Sequence, residues 1–269
     1  HAASYKHVSM QEAFPWEAIE TNVNGTSNLV KLSKQHNVEK FILISTDKAL
    51  KPINIMGATK RLAEMVTQNY NRLNNNTEFM AVRFGNVLGS SGSVIPIFQE
   101  QIKNGGPVTV TDPDMERYFM SIPEASQLIL QAGSLGLGGE VFILDMGDPI
   151  KIIDIANELI RLSGYEPELD IPITFTGPRP GEKKIEELAL PSEQLDKTKH
   201  EKIFVLNDPN ITNETLSNLI LDIKDLEIGL SGRTANQVRS ILSNILPEYQ
   251  PDLASNEPIY LRVKKDAQA

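Results

Sequence analysis

The chain contains no cysteine. That excludes disulfides and every metal site built on thiolates, and it fits a reducing compartment. Histidine is scarce: His1, His7, His36 and His200 are the only four, and they form no metal-ligand spacing, so no metal is expected. No apolar run approaches the roughly 18 to 20 residues that cross a bilayer, and no signal peptide is visible. A basic excess is also missing. The 26 Lys and Arg against 35 Asp and Glu leave a formal charge of −9, which lacks the field that nucleic acid or an anionic membrane requires. Any anionic ligand must therefore be held by a few placed cations. An initiating methionine is absent as well. "HAASYKHV" opens in the middle of an apparent element, and the chain reads as a C-terminal fragment with more protein upstream of His1.

What is present is globular. Of 269 residues, 40% are hydrophobic and 23% charged, proportions that suit one large domain or two modest ones rather than a disordered chain. Trp16 to His36 carries apolar residues at helical spacing, with Gly25 as an interruption; close packing of the helix on a sheet is expected there. "KFILIST" is a continuous apolar run ending in Ser45 and Thr46, the pattern of a strand buried on both faces. Met56 to Leu73 is helical again, and "EFMAVRFG" is a second buried strand. Strand, helix and strand within about 45 residues make a βαβ unit, hence a mostly parallel sheet.

Beyond Asn86 the pattern changes. A loop leads into a helix ending near Lys103, "GPVTVTD" and "RYFMSI" predict short strands, and Pro123 starts a helix to Gly133. "EVFILDMG" is a strand, Ile152 to Leu162 a helix, and "DIPITFTG" a strand entering the loop "PRPGEK". Two helices are expected between Thr212 and Leu246, and little order in the tail from Pro247. The division expected is 1–90 for the remainder of a dinucleotide-binding α/β core, with the 123–133 helix packed on it, 91–225 for a smaller mixed α/β lobe, and 226–269 for a C-terminal helix and tail. "GSLGLGGE" imitates a dinucleotide glycine loop, but it follows a helix and precedes a strand, the reverse of what that loop requires. It reads as a turn.

The stretch that carries chemistry is "LISTDKALKPINIMGATKRLAE". Ser45, Thr46, Asp47 and Lys48 fall at the C-terminal end of a buried strand, where open parallel sheets bind ligands. Asp47 and Lys48 put an acid and a base side by side; the competing reading is a solvated ion pair. Met56 and Lys60, four residues apart, share one face of the next helix.

These strings, with "HAASYKHV", "NVNGTSNLV", "RFGNVLGSSGSVIPIF", "ERYFMSIPEA" and "GPRPGEK", resemble the extended short-chain dehydrogenase/reductases. They look most like the CapD-like UDP-N-acetylglucosamine 4,6-dehydratases of polysaccharide biosynthesis. The resemblance spans roughly residues 1 to 200. It implies an α/β Rossmann-type parallel sheet with a smaller substrate lobe, NAD as cofactor, and conversion of a UDP-N-acetylhexosamine to a 4-keto-6-deoxy sugar. A hydride leaves C4, the resulting ketone acidifies the C5 hydrogen, water is lost from C6, and the hydride returns to C6. In the wider superfamily a Tyr-x-x-x-Lys pair starts this chemistry. Here Met56 stands in the tyrosine's place, and a thioether cannot take a proton at neutral pH. The resemblance marks Met at this position as characteristic of the long, membrane-associated members, which leaves Thr46, Asp47 or a bound water to activate the C4 hydroxyl.

The resemblance further implies that Lys48, with its pKa lowered, abstracts the C5 proton while protonated Asp47 assists departure at C6; the two roles are interchangeable on sequence alone. Lys60 would bond the nicotinamide ribose. Ala2, Ala3 and Ser45 would line the cofactor pocket, and Asn86 would hold the sugar nucleotide. Arg117 and Arg179 are candidate cations for the diphosphate or ribose, and Glu182 a candidate acceptor for ribose hydroxyls. Against these stand a surface role for Arg117 and a loop ion pair between Arg179 and Glu182. Asn22 is assigned to helix packing. A homo-oligomer is expected, and a membrane anchor upstream with this part in the cytoplasm. The alternatives are a nucleotide-sugar 4-epimerase or reductase, and an inactive fragment that only binds a partner or sugar nucleotide. The chain by itself is expected to be inactive.

Overall fold

The structure, a computed structural model, describes residues 1–73, 76–188, 194–207, 212, 216 and 232–251. Its centre is a five-stranded sheet. Strands β1 (Lys40–Ile44), β2 (Glu78–Arg83) and β7 (Val141–Leu144) lie parallel, in that order. A hairpin of β10 (Gln194–Lys197) and β11 (Ile203–Asn207) continues it, with β11 antiparallel to β7. On the other side of β1, His1 donates its N–H to the Ile42 carbonyl at 2.8 Å and accepts from the Ile44 N–H at 3.0 Å. His1 thus lies parallel to β1.

The helices follow the predicted periodicities. A short α1 (Val8–Ala13), not anticipated, precedes α2 (Pro15–Ala18), a π-helical segment (Ile19–Asn24) and α3 (Gly25–Gln35). The last three run on without a break, after non-helical Phe14, and α4 (Ile55–Arg72) packs beside them over β1 and β2. The close approach expected at Gly25 is not there, since a Cβ on it would meet only the Glu20 carbonyl at 3.6 Å. It occurs instead at Gly57 in α4, where a Cβ would lie 2.1 Å from the Lys48 carbonyl oxygen. The opposite face of the sheet is covered by α6 (Ile122–Leu135), whose Gly133 sits against Ile42. The glycine-rich stretch after α6 is a turn: Gly138 and Gly139 have φ of 101° and 95°, and the Glu140 carboxylate accepts from the Leu137 and Gly138 N–H groups, both at 2.8 Å.

Between β2 and β7 the chain builds the smaller lobe. It contains β3 (Asn86–Val87), α5 (Val94–Lys103), β4 (Val108–Val110), β5 (Glu116–Arg117) and β6 (Phe119–Met120). After β7 come β8 (Ile150–Lys151), α7 (Ile152–Leu162) and β9 (Ile173–Phe175), which pairs with β4. Phe98, Ile102, Val108, Val110, Met115, Ile152, Ala156 and Ile160 form a core separate from the two that flank the main sheet. The second of the two helices predicted after Thr212 is α8 (Ala235–Ile245), started by a capping box of Thr234 and Gln237. The first falls mainly outside the described residues, as do residues 252–269 of the tail.

One buried ionic cluster ties the sheet to α4. The fully buried Glu64 carboxylate accepts from Arg83 through two 2.7 Å bonds, from Arg61 at 3.2 Å and from the Ser45 hydroxyl at 2.5 Å. Burial alone would raise its pKa, but the two guanidiniums and the Ser45 hydrogen bond outweigh that and hold it below the ordinary value.

Candidate active site

The end of β1 is built as the sequence suggests. After Ile44 the chain passes through Ser45 and extended Thr46 into a single 3-10 turn, Asp47–Ala49. The Asp47 Oδ1 oxygen accepts from the Thr46 hydroxyl at 2.8 Å, the Lys48 backbone N–H at 2.9 Å and the Lys48 ammonium at 3.0 Å. Its Oδ2 has no hydrogen-bond partner. Gly57 lets the first turn of α4 close onto this 3-10 turn, and the Asn54 side chain caps α4 by accepting from the Gly57 N–H at 2.7 Å.

A cavity of about 390 Å³ opens at this point, within the range of small-molecule sites. Ala2, Ser45, Thr46, Lys48, Met56, Lys60 and Asn86 all contribute to its wall. Seven of the predicted residues therefore meet in one place, drawn from the first residues, the β1 end, α4 and β3. Ala3 is not on the wall. Ser45 spends its hydroxyl on Glu64. Asp47, 1% exposed, lies behind Lys48 and does not reach the cavity. Two smaller hollows of about 190 and 220 Å³ adjoin it, sharing Asn86 and holding Arg117, Arg179 and Glu182.

The cations differ from expectation. Arg117 is buried, and its guanidinium donates to the carbonyls of Glu116, Lys183 and Lys184 at 2.6 to 3.0 Å. It is neither a surface residue nor a free cation; it fastens the "GPRPGEK" loop to β5. Arg179 is exposed and lines both smaller hollows. Its backbone N–H, not its guanidinium, bonds Glu182 at 3.0 Å. Glu182 instead stands 3.7 Å from Arg117. Asn22 has a more specific task than helix packing: it holds the Tyr5 backbone through both amide atoms, at 2.8 and 3.2 Å, so it sets the path of the segment that forms one cavity wall.

Sequence reasoning did not anticipate Glu186. This carboxyl is 2% exposed and stands 3.8 Å from the Lys48 ammonium; its other oxygen has no hydrogen bond and lies 4.0 Å from the Lys183 ammonium. The only signal for it is its place just after "GPRPGEK"; nothing local announces that it turns inward. Its pKa is raised, by burial first and then by the Asp47 charge, against the pull of Lys48, Arg117 and Lys183.

The electrostatics correct the expected state of Lys48. Burial opposes its charge, but Asp47 and Glu186 outweigh that effect, so the ammonium is held above its ordinary value and not lowered toward neutrality. Lys60 behaves in the opposite way. Burial brings it down to about 8, with Glu64 opposing; its ammonium donates to the Ile44 carbonyl and, at 3.3 Å, to the Ser4 hydroxyl. Among the described residues no cluster of His, Asp or Glu is suited to a metal, and no helix is long and apolar enough to cross a membrane.

The Staphylococcus aureus capsular polysaccharide biosynthesis protein CapD is 60% identical over 204 residues, which cover 76% of this chain and 34% of that protein. This chain therefore spans about a third of that relative's length. A Rickettsia rickettsii UDP-glucose 4-epimerase is 40% identical over 200 residues, 73% of this chain and 57% of that protein. The solved structure of Pen from Bacillus thuringiensis superposes with a TM-score of 0.71 at 37% identity, covering 82% of this chain and 73% of that one. Dehydratases and epimerases solved with NAD bound share the fold at TM-scores of 0.58 and 0.60. The family model described as polysaccharide biosynthesis protein matches residues 1–208, and the chain belongs to that family.

Proposed function

We propose that the protein is an NAD-dependent 4,6-dehydratase acting on a UDP-N-acetylhexosamine, with UDP-N-acetylglucosamine as first choice. The observation that carries this reading is the charged Lys48 on the cavity wall, backed by the sealed Asp47 carboxylate 3.0 Å away. An acid-base pair beside Met56, which cannot act as a base, suits a reaction that needs proton traffic at adjacent carbons. The residues fit the cofactor. Ala2 and Met56 offer an apolar wall, and the Lys60 ammonium is aimed at the same cavity with Ser4 beside it. NAD, when bound, supplies the hydride acceptor for C4 and the donor for C6.

The residues of this chain do the rest. Lys48 faces the sugar and is the group through which protons pass. To take the C5 hydrogen as a proton, it first gives its own proton inward to a carboxylate. The C5–H bond then breaks, the N–H bond forms, and the electron pair enters the enolate of the 4-ketone. Loss of the C6 hydroxyl with the proton taken from C5 releases water, and a proton, matching the one given up by the C4 hydroxyl, is delivered to C5 when the hydride returns to C6. Asp47 acts through Lys48 in this geometry, and Thr46, bonded to Asp47, is the hydroxyl nearest the pair for activating the C4 alcohol. Arg179 is the open cation for a diphosphate. Asn86, which accepts from Lys48 at 3.3 Å, orients the ammonium toward the sugar.

The relative named as an epimerase makes inversion at C4 the second reading. Incubation of Lys48→Ala and Asp47→Asn, in the intact protein, with UDP-N-acetylglucosamine in heavy water separates the two. Each variant is expected to lose roughly 10²- to 10⁴-fold in turnover, and Lys48→Ala to lose deuterium entry at C5. Product formation at the unmodified protein's rate by both variants removes the pair from the mechanism; a C4-inverted product that keeps its C6 oxygen replaces dehydration with epimerisation.

A further inference from the structure

Lys48 must lose a proton before it can accept one, and Asp47 is poorly placed to keep it. Its Oδ1 already accepts three hydrogen bonds, and the residue lines neither the cavity nor the hollow beside Lys48. Glu186 is the second carboxylate within reach. Its Oε1 lies 3.8 Å from the Lys48 Nζ and its Oε2 has no hydrogen bond, although the residue is 2% exposed. A buried carboxylate without hydrogen bonds is costly, and Glu186 faces the smaller hollow of about 220 Å³ that also meets Lys48 and Asn86.

We propose that Glu186 is the proton partner of Lys48: it receives the ammonium proton that frees Lys48 to abstract the C5 hydrogen, and returns it to Lys48 once Lys48 has protonated the departing C6 oxygen. The proposal rests on the dehydratase reading above. The exchange balances, with Lys48 ammonium and Glu186 carboxylate becoming Lys48 amine and Glu186 carboxylic acid, and no redox change. The 3.8 Å separation must close by about 1 Å, as contacts in ligand-free sites commonly do when substrate binds. The charged groups around Glu186 are Lys48 and Asp47 from the 3-10 turn, Arg117 from β5 and Lys183 from its own loop, with Lys183 Nζ at 4.0 Å. His7, Arg179 and Glu182 face the same hollow. Burial and Asp47 both favour the neutral acid, which is the state the transfer creates.

The test uses the intact protein and Glu186→Gln, which keeps the shape and removes the acceptor. Competitive labelling of lysines with acetic anhydride across pH, read on the Lys48 peptide by mass spectrometry, reports the Lys48 ionisation without substrate. In Glu186→Gln its midpoint should fall by about one unit, since one of the two carboxylates that stabilise the ammonium is gone. Turnover should drop roughly 10²-fold with KM little changed, and the acid limb of the pH–rate profile should move. Glu186→Asp, which retains a carboxyl on a shorter arm, should be intermediate in both and serves if the Gln variant does not fold. An unchanged Lys48 midpoint, with turnover like that of the unmodified protein, overturns the proposal and leaves the dehydratase reading standing. A lowered midpoint in a protein that makes no dehydrated sugar supports the pairing and sinks the reaction.

Discussion

Lys60 shows how a single residue trades stability for use. The residue is 5% exposed, and burial brings its pKa from 10.5 to about 8. The unfolded chain therefore holds this proton more tightly than the folded one between pH 8 and 10.5, so this group's contribution to stability rises with pH across that window. Below pH 8 both states are charged, and the fold carries a cost on the order of 3 kcal/mol for the buried charge. Lys60→Met fits the same space without that cost. It is expected to melt a few degrees higher than the unmodified protein at pH 7, with the gap narrowing toward pH 10, while NAD-dependent activity is lost. Thermal melts at several pH values check it; a lower melting temperature at pH 7 would show that the bonds to Ile44 and Ser4 outweigh the desolvation.

At the scale of the element, the junction of the 3-10 turn and α4 decides the site. Helix propensity says that Gly57→Ala should stabilise α4 by about 1 kcal/mol. The geometry says otherwise, because the new Cβ would stand 2.1 Å from the Lys48 carbonyl oxygen, a backbone atom. Either the turn moves or α4 does, at roughly 1 to 3 kcal/mol. Displacing Lys48 by about 1 Å is worth roughly 10²-fold in rate. The variant is thus expected to melt lower and to lose at least that much turnover. A fully active Gly57→Ala protein would mean that the position of the turn does not matter to the chemistry.

On the scale of the whole molecule, distant segments are clamped together behind the cavity. Arg239 in α8 donates to the Glu12 carboxylate at 2.8 and 3.2 Å and to its carbonyl at 2.7 Å. The other Glu12 oxygen accepts from the Ile55 N–H, at the start of α4, at 2.6 Å. Residues 227 positions apart therefore set where α4 begins, and with it Met56 and Lys60. Arg239→Ala leaves a mostly buried carboxylate half-paired and should cost about 2 to 3 kcal/mol. Hydrogen exchange should quicken in α8 and in the first turn of α4, while β2 and β7 keep their protection. Unaltered exchange at Ile55 to Met56 would show that the clamp does not reach the site.

The sequence by itself determined the elements whose pattern is local. Continuous apolar runs specified β1, β2 and β7, helical periodicity specified α3 through α7, and the order of strand and helix made the first sheet pairing parallel. It also determined that Ser45, Thr46, Asp47, Lys48, Met56 and Lys60 would gather, because a strand end and the face of the following helix must lie side by side. Tertiary structure alone decided what depends on burial and on contacts far apart in the chain. The β10–β11 hairpin finds its edge only because β7 leaves one open. Arg117 turns inward to donate to two backbone carbonyls of a loop some 66 positions away, besides that of its neighbour Glu116, and Glu186 turns inward beside a lysine 138 positions away. The same burial set the protonation of the site. Two sealed carboxylates hold Lys48 charged, while desolvation loosens the proton on Lys60; these opposite outcomes for two lysines follow from their neighbours in space, which no local pattern records.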